Sequence, residues 1–431
     1  MNKNTEAIYD AKQLGKGQVF ILGLQHMFAM FGATVLVPLL TGLSISTTLL
    51  FAGVGTLLFH VVTKGKVPAF LGSSFAFLGG YATIAPLLED GSSNVEMLPY
   101  ACFGVACAGL LYFVMAALIK LFSVEKVMKF FPPIVTGPII IAIGLILSKS
   151  AIDNCSTNWP IALVAIAVVV ICNIYGKGMI KIIPILIGVI VSYVVGVMMG
   201  EVDFSAVADA SWIGFPIEKE MTILGLFDDN FDPALLLTAV ITIMPIAFAT
   251  IVEHIGDISA ISSTTGKNYI EEPGLHRTMI GDGLATALAS VFGAPANTTY
   301  GENTGVLNLS KVYDPFVVRL AAVFAIIFSF CPKFSAVIQA MPTATVGGIS
   351  LILYGMISAV GVRNVVENQV DFTKSRNVII AALILVLSIG INYSAAGAIA
   401  FQIGSITISL SGLAVGALTG IILNAILPEE E

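Results

Sequence analysis

The sequence predicts an all-α polytopic membrane protein, and three observations support this prediction. Hydrophobic residues make up 57% of the 431 residues and charged residues only 11%, with a mean hydropathy of +0.96. Soluble proteins carry about 25% charged residues, so this chain has too few charges to cover a water-facing surface. The apolar residues form runs long enough to cross a bilayer. Nearly all the lysines and arginines fall in every second connection between those runs.

The composition also excludes several classes of function. A net charge of −7 and a pI near 5.2 argue against a nucleic-acid partner, which would need a basic face. The five cysteines form no CxxC pair and have no histidine companions, so neither a disulfide framework nor a metal site is predicted. The sequence contains no phosphate-binding loop and no nucleophile constellation, so we expect neither an enzyme nor a cofactor.

Reading for runs of about 20 mostly apolar residues predicts fourteen membrane-spanning segments. Three of them are irregular, because glycines, prolines or polar residues interrupt 68–87, 234–262 and 299–312. The segments lie near residues 17–40, 46–62, 68–87, 98–122, 132–148, 158–175, 180–199, 234–262, 276–293, 299–312, 314–331, 340–361, 376–393 and 406–427.

The positive charges support this count. Lysine and arginine prefer cytoplasmic loops, and fourteen crossings with both termini cytoplasmic place all but three of the 20 on that side. The three on the outer side are Lys149, Lys219 and Lys333. The long outer loop 200–233 is rich in acidic residues.

Two irregular segments, the third and the tenth, hold matching positions in two blocks of seven. Because seven is odd, a repeated block has the opposite orientation in the membrane. Interrupted segments at corresponding places in inverted repeats indicate a substrate site near the bilayer midplane. Abundant glycine in membrane helices is the alternative reason for the interruptions.

Four carboxylates lie inside apolar segments, where each costs a few kcal/mol. Glu253 and Asp257 are four residues apart and share one helix face, while Glu302 lies in the interrupted tenth segment. These three are candidate ligand-contacting residues, although a protonated carboxyl bonded to a neighbouring helix is the structural alternative. Asp282 lies between two glycines and is interpreted as a helix-packing residue.

Other polar and aromatic residues in the segments are candidate supports for that site. His26 and His254 lie within spans, where a lone histidine is more often a hydrogen-bond partner than a proton relay. Phe75 follows Ser74 in the interrupted third segment, where non-helical backbone is tolerated only when it is buried or lines a cavity. Such an aromatic side chain offers a stacking surface for a flat polar ring.

These groups together suit a neutral planar ring. Carboxylates accept hydrogen bonds and free backbone N–H groups donate them, which matches the alternating N–H and C=O edge of a lactam such as uracil. A neutral ring avoids burying a charge against the acids. With no sign of a nucleotide site, transport would be driven by an ion gradient.

At these residues the sequence resembles the nucleobase–ascorbate transporter family of nucleobase:cation symporters, and within it the bacterial uracil permeases. The resemblance extends from about residue 17 to residue 427, and NTTYGEN is its most specific motif. The matching stretches are LQHMFAMFGATVLVPLL (24–40), GKVPAFLGSSFAFLGGY (65–81), IIPILIGVIVSYVVG (182–196), IVEHIGD (251–257), PGLHRTMIGDGLAT (273–286) and FGAPANTTYGENTGV (292–306).

The resemblance implies a fold of two inverted seven-span repeats. Segments 17–122 and 234–331 would form a core domain, and segments 132–199 and 340–427 a gate domain. Short antiparallel β-strands in the third and tenth segments would hold the substrate between these domains. It further implies proton-coupled uracil uptake at the cytoplasmic membrane, and assembly in the lipid bilayer as a homodimer through the gate domain.

The resemblance also implies roles for individual residues. Glu253 and Glu302 would bond the base, and the backbone amides of Phe75 and Gly301 would meet its carbonyls. Phe75 and Tyr300 would line the pocket. The candidates for proton coupling are Glu253, Asp257 and Glu302, and the supporting residues are His26, His254 and Ser74.

One departure leaves the substrate and the coupling ion open. Uracil permeases of the enteric type have histidine where this chain has Asp257, and purine-transporting relatives tend to have aspartate there but glutamine in place of Glu302. A purine (xanthine or uric acid) transporter or a Na⁺-coupled transporter of the same fold is therefore the alternative. An anion carrier of this architecture would need a basic residue at the midplane, and the sequence places none there.

Overall fold

The computed structural model describes residues 7–88, 91–227, 231–403 and 406–428, and within them the chain is mostly helical. The α-helices of the described residues are α1 (Lys16–Thr41), α2 (Ile45–Val62), α3 (Leu78–Ile84), α4 (Leu98–Phe122), α5 (Val124–Met128), α6 (Pro133–Ser156), α7 (Trp159–Tyr175), α8 (Met179–Ile182), α9 (Pro184–Met198), α10 (Ser205–Asp209), α11 (Pro233–Ile243), α12 (Ala247–Thr265), α13 (Leu275–Val291), α14 (Gly301–Ser310), α15 (Pro315–Ser329), α16 (Pro332–Gln339), α17 (Thr343–Glu367), α18 (Ser375–Asn392) and α19 (Gly412–Ile426).

Four short β-strands complete the regular structure of the described residues. They are β1 (Leu71–Ser73), β2 (Asn297–Thr299), β3 (Ala398–Ile403) and β4 (Ile406–Ser411). The strands form two separate antiparallel pairs, β1 with β2 and β3 with β4. Single helical turns of other types lie at Ala11–Gln13, Phe75–Phe77, Lys219–Met221, Ile223–Phe227, Met244–Ile246 and Ile270–Gly274.

Many of these helices are long and apolar enough to cross a membrane. Seven helices of the described residues meet that condition on their own, when α11 and α12 are taken as one, and α15 with α16 forms an eighth that is bent by 87°. Shorter apolar helices lie at Phe75–Ile84, α7, α9 and α19. The chain is therefore a mostly helical, multi-pass membrane protein, as the composition predicts.

Helix starts in the structure follow local sequence signals. The side chains of Ser44, Asn158, Asp232 and Asp314 accept hydrogen bonds from the first-turn amides of α2, α7, α11 and α15. Proline occupies the first or second position of α7, α9, α11, α15 and α16, where its missing N–H has no intrahelical role. These signals explain why the predicted starts of α2, α7, α11 and α15 lie within one residue of the observed ones.

The prediction of a continuous helix over 406–427 is wrong. That segment begins with strand β4, which pairs with β3, and only then continues as helix α19 from Gly412. The sequence ITISLS over β4 alternates apolar and hydroxyl residues, the period-two pattern of a strand. The Ser411 side chain then accepts from the Ala414 amide and starts the helix.

The helices pack in two groups. The first group contains α1, α2, α4, α13 and α15, and the second contains α6, α7, α9, α17, α18 and α19. Helix α12 contacts both groups, since it packs against α4 and α13 on one side and α6 and α19 on the other. The residues of α12 therefore lie where the two groups meet.

The pair β1–β2 lies at the centre of the first group. Leu71 pairs with Thr299, Gly72 with Thr298 and Ser73 with Asn297. Side chains of the neighbouring helices hold both strands. From α2, the Thr56 hydroxyl accepts from the Leu71 amide at 2.9 Å, and from α13, the Thr286 hydroxyl donates to the Asn297 carbonyl at 3.0 Å. All three residues of each strand are buried.

Two glycines allow this close packing. A Cβ on Gly55 would lie 2.0 Å from Nδ2 of Asn297, which donates to the Phe51 carbonyl at 2.6 Å. A Cβ on Gly72 would lie 2.7 Å from the Tyr300 ring and 2.7 Å from the Thr34 hydroxyl oxygen. Any side chain at either position would push the strand pair away from its supports.

We expect Gly55→Ala to lower the free energy of unfolding by about 1–3 kcal/mol, the usual cost of overpacking, because the added methyl displaces Asn297. The measurement is the thermal unfolding midpoint of the purified protein in detergent. Gly390→Ala in α18 is the matched control, since its Cβ would meet no atom within 4 Å. Equal midpoints for the two variants would contradict the packing account.

Candidate functional site

Two helical segments follow the antiparallel β1–β2 pair, one from each of its ends. The turn Phe75–Phe77 follows β1 and continues into α3, and α14 follows β2 after Tyr300. The first N–H groups of a helix have no intrahelical acceptor and carry partial positive charge. The strand pair therefore presents two helix N-termini that can receive carbonyl or carboxylate oxygens.

Additional hydrogen bonds extend the strand pair at both ends. The Ser74 amide donates to the Ala296 carbonyl, and the Tyr300 amide donates to the Phe70 carbonyl, each at 2.9 Å. The Tyr300 hydroxyl donates to the Ser73 carbonyl at 2.8 Å. Ser74 and Tyr300 are both buried, so the backbone that leads into the two helix N-termini is fixed before any ligand binds.

The two predicted carboxylates lie on α12, a helix that packs against β2 and α14. Glu253 and Asp257 are half-buried, whereas Val252, His254 and Ile258 around them are buried. A Cβ on Gly301 would lie 3.1 Å from Oδ1 of Asp257. The structure therefore brings the Asp257 carboxylate to the first residue of α14, where a negative charge is favourable.

A buried polar network fixes strand β2 against α12 and α13. Oδ1 of Asp282 accepts from the amide and from the hydroxyl of Thr299, both at 2.9 Å. His254 lies with Nδ1 2.9 Å from the Thr299 hydroxyl oxygen and Nε2 3.0 Å from that of Thr278. Because the Thr299 hydroxyl gives its proton to Asp282, we assign the donor role to His254 Nδ1.

This network joins His254 of α12 and Asp282 of α13 to Thr299 of strand β2. His254 also lies 3.4 Å from Oδ2 of Asp282, and both side chains are fully buried. The sequence interpretation of Asp282 as a packing residue agrees with its two bonds to Thr299. Thr299 is not among the predicted residues, although it lies within the NTTYGEN motif, because nothing in the sequence distinguishes its hydroxyl from that of Thr298.

His26 of α1 contacts α14 through Asn303. Nδ2 of Asn303 donates to the His26 carbonyl at 3.2 Å and lies 3.3 Å from His26 Nδ1. Both residues are buried. His26 therefore ties α1 to the first turn of α14, which is a positioning contact.

The first helix group meets the second at Phe75. The Phe75 ring contacts the Tyr354 ring of α17 edge to face, with centroids 5.5 Å apart. A narrow cleft adjoins this pair and is lined by Phe75, Gly79 and Ile246 together with residues of α6. Tyr354 was missed from the sequence, where its only signal is a phenol within the apolar run 340–361.

Glu302 is the second residue of α14 by its backbone, and its side chain lies outside the described residues.

The site thus contains a strand pair, two helix N-termini, an aromatic contact between the helix groups and the half-buried carboxylates of α12. Such a site can donate and accept hydrogen bonds at the edge of a flat ligand.

Comparison with known proteins identifies the family. A family model described as the permease family matches residues 17–397. Over 437 residues the chain is 41% identical to a uracil permease of Bacillus caldolyticus, an alignment that covers 99% of this chain and 96% of the relative. The uracil permease of Escherichia coli strain K12 is 36% identical over 95% of this chain and 91% of its own length.

The chain belongs to this permease family, the nucleobase–ascorbate transporters. The family resemblance predicted from NTTYGEN and the other motifs is thereby confirmed. Since the family consists of permeases, the protein is a membrane transporter and not an enzyme.

Solved structures of transporters share the fold. The transmembrane domain of the cyanobacterial bicarbonate transporter BicA has a TM-score of 0.59 at 15% identity, covering 97% of this chain and 99% of that one. The overall structure of SLC26A9 has a TM-score of 0.64 at 13% identity, covering 97% and 66%. At such low identity the likeness extends to the fold alone.

We expect Asp282→Ala to lower the free energy of unfolding by about 1–3 kcal/mol, because the buried amide and hydroxyl of Thr299 lose their acceptor. Thermal unfolding in detergent measures the change. Asp282→Asn, which retains one oxygen acceptor, should lose less. If the alanine variant unfolds at the parent temperature, Asp282 does not support strand β2.

Proposed function

We propose that the protein is a proton-coupled uracil symporter of the cytoplasmic membrane. The observation that carries the proposal is the 36–41% identity to uracil permeases over nearly the whole chain. The strand pair with its two helix N-termini and the adjacent carboxylates supports a site for a small polar ring.

The proposed architecture has fourteen crossings in two inverted blocks of seven. The core would comprise 17–122 and 234–331, and the gate 132–199 and 340–427, with both termini cytoplasmic. The separate packing of the two helix groups supports this division. The pairing of β1 with β2 supports the placement of the strands in the third and tenth segments.

In the proposed binding mode, uracil lies between the strand pair and α12. Its two N–H groups donate to Glu253 and Glu302, and its carbonyls accept from the backbone amides of Phe75 and Gly301. The Tyr300 ring packs against Gly72 within the strand pair. A neutral ring suits this site, because an anion would be repelled by the carboxylates of α12.

Uracil would be shielded from water on one side by aromatic rings. The Phe75 ring is supported from behind by Tyr354 of the gate. Movement of core against gate would separate these two rings and open the site first to one face of the membrane and then to the other. In this proposal, the contact between Phe75 and Tyr354 belongs to one of the two end states of the motion.

Proton coupling is assigned to the carboxylates of the site. Glu253, Asp257 and Glu302 are the candidates, and close carboxyls exchange protons as a group. Glu253 is the principal carrier in this proposal, because it bonds the base directly and a protonated carboxyl can still accept the N–H of the base through its carbonyl oxygen. Three residues support the site through hydrogen bonds. His26 bonds Asn303, His254 bonds Thr299, and the Ser74 amide bonds the Ala296 carbonyl.

A purine or Na⁺-coupled transporter is the second candidate, and one observation favours it. The Asp257 carboxylate lies beside Gly301, where a substrate carbonyl would approach the amide. A carboxylate at that place can accept a hydrogen bond from the second ring of a purine or contribute to a cation site. Proton and sodium coupling are distinguished by uptake after a pH step, with and without Na⁺.

We expect Glu302→Gln to reduce uracil uptake roughly 100-fold, because the charged acceptor for a substrate N–H is replaced by the weaker, neutral oxygen of an amide. Uptake of radiolabelled uracil into proteoliposomes measures this, with monodispersity in detergent as the folding control. Glu367→Gln, at the exposed end of α17, is the matched control. Uptake by Glu302→Gln near the parent level would remove Glu302 from the site.

Glu253→Gln imitates the protonated carboxyl, so we expect it to exchange uracil across the membrane without accumulating it. The test compares counterflow with uptake under an imposed proton gradient. Retained counterflow with loss of gradient-driven accumulation is the expected result. A variant that still concentrates uracil only when the gradient is present would show that Glu253 is not the proton carrier.

A further inference from the structure

The turn that follows α2 holds two lysines in a fixed arrangement. Lys64 has a left-handed backbone conformation, with φ of +57°, which is uncommon for a residue with a side chain. The Gly65 amide donates to the His60 carbonyl at 2.6 Å, and the Lys64 amide to that of Val61 at 3.2 Å. This closed turn keeps Lys64 and Lys66 together at the end of the helix.

Two arginines from other helices reach the same turn. A Cβ on Gly65 would lie 2.9 Å from Nη1 of Arg319 in α15, so that guanidinium lies against the turn. Nη1 of Arg277 in α13 donates to the Val62 carbonyl at 3.3 Å. Four cationic side chains from three places in the sequence thus surround the C-terminal end of α2. We name Lys64, Lys66, Arg277 and Arg319 the α2-turn cluster.

The charges of this cluster are only partly balanced within the protein. Lys66 forms a salt bridge with the exposed carboxylate of Glu272, and this contact lowers the pKa of Glu272. In the described part of the chain, no carboxylate forms a salt bridge with Lys64, Arg277 or Arg319. Cations held this close repel one another unless an anion joins them.

Exposed apolar side chains lie directly beside the cluster. Val61, in the last turn of α2, is 76% exposed, and Phe316 of α15 is 48% exposed. The Arg319 guanidinium lies 5.9 Å from the centre of the Phe316 ring. In a membrane protein, apolar side chains next to cations mark the level where acyl chains end and headgroups begin.

We propose that the α2-turn cluster binds the phosphate of an anionic phospholipid in the cytoplasmic leaflet. Guanidinium groups form paired hydrogen bonds with phosphate oxygens, and lysines add charge. Basic pockets between membrane helices on the cytoplasmic side are suited to such headgroups. A soluble phosphate shares this chemistry, but only a lipid would also cover Val61 and Phe316 with its acyl chains.

The test is lipid retention by the full-length protein in nanodiscs of phosphatidylcholine with phosphatidylglycerol, measured by native mass spectrometry. Each cation near a membrane surface contributes about a fivefold gain in affinity, so we expect Lys64→Gln with Arg319→Gln to weaken phosphatidylglycerol retention roughly 25-fold. The matched control is Lys149→Gln with Lys333→Gln, which removes two cations outside the cluster and should leave retention unchanged.

A second variant keeps the test decisive if the first one folds poorly. Glu272→Gln removes the carboxylate that competes for Lys66, so it should increase phosphatidylglycerol retention. Equal retention by Glu272→Gln and the parent, or by the double variant and its control, would overturn the proposal. Displacement of phosphatidylglycerol by millimolar inorganic phosphate, with equal binding of phosphate in phosphatidylcholine alone, would assign the cluster to a soluble anion and overturn the lipid assignment.

Discussion

The structure depends on the hydrogen bonds that join β1 to β2. At membrane depth, every backbone N–H and C=O must find a partner within the protein, and two interrupted segments would otherwise leave several of these groups unpaired. The antiparallel pairing satisfies the strands, and the bonds from Ser74 and Tyr300 extend it at both ends. Because the strands pair with each other, the helical segment after each strand can begin directly at the strand pair.

The surroundings of the strand pair follow from this requirement. Glycines at Gly55 and Gly72 let neighbouring groups approach closely, and hydroxyl and carboxylate side chains supply the bonds that helices cannot. Asp282 is a fully buried support that accepts two hydrogen bonds from Thr299. Charged residues at bilayer depth thus separate into two kinds. Asp282 is fully buried and supports the backbone, whereas the α12 carboxylates are half-buried beside a helix N-terminus.

Much of this arrangement could be predicted from the sequence. Hydropathy and charge alternation predict the membrane helices, and the glycines and prolines indicate the segments that are not continuous. The family motif singled out Gly301 and Tyr300, which lie where α14 begins. Strand β4 was missed because its apolar residues satisfy a hydropathy window as well as a helix does, and β3 lies between the predicted segments 376–393 and 406–427. Tyr354 and Thr299 were missed because their significance arises from contacts with residues far away in the sequence.

The central claim is that this site recognises uracil in preference to purines, with the Asp257 carboxylate beside Gly301. Direct binding of uracil and of xanthine to the purified parent protein, measured by isothermal titration calorimetry under identical conditions, tests it. We expect uracil to bind at least tenfold more tightly than xanthine. Tighter binding of xanthine would contradict it and would make the carboxylate beside Gly301 the residue that selects the substrate.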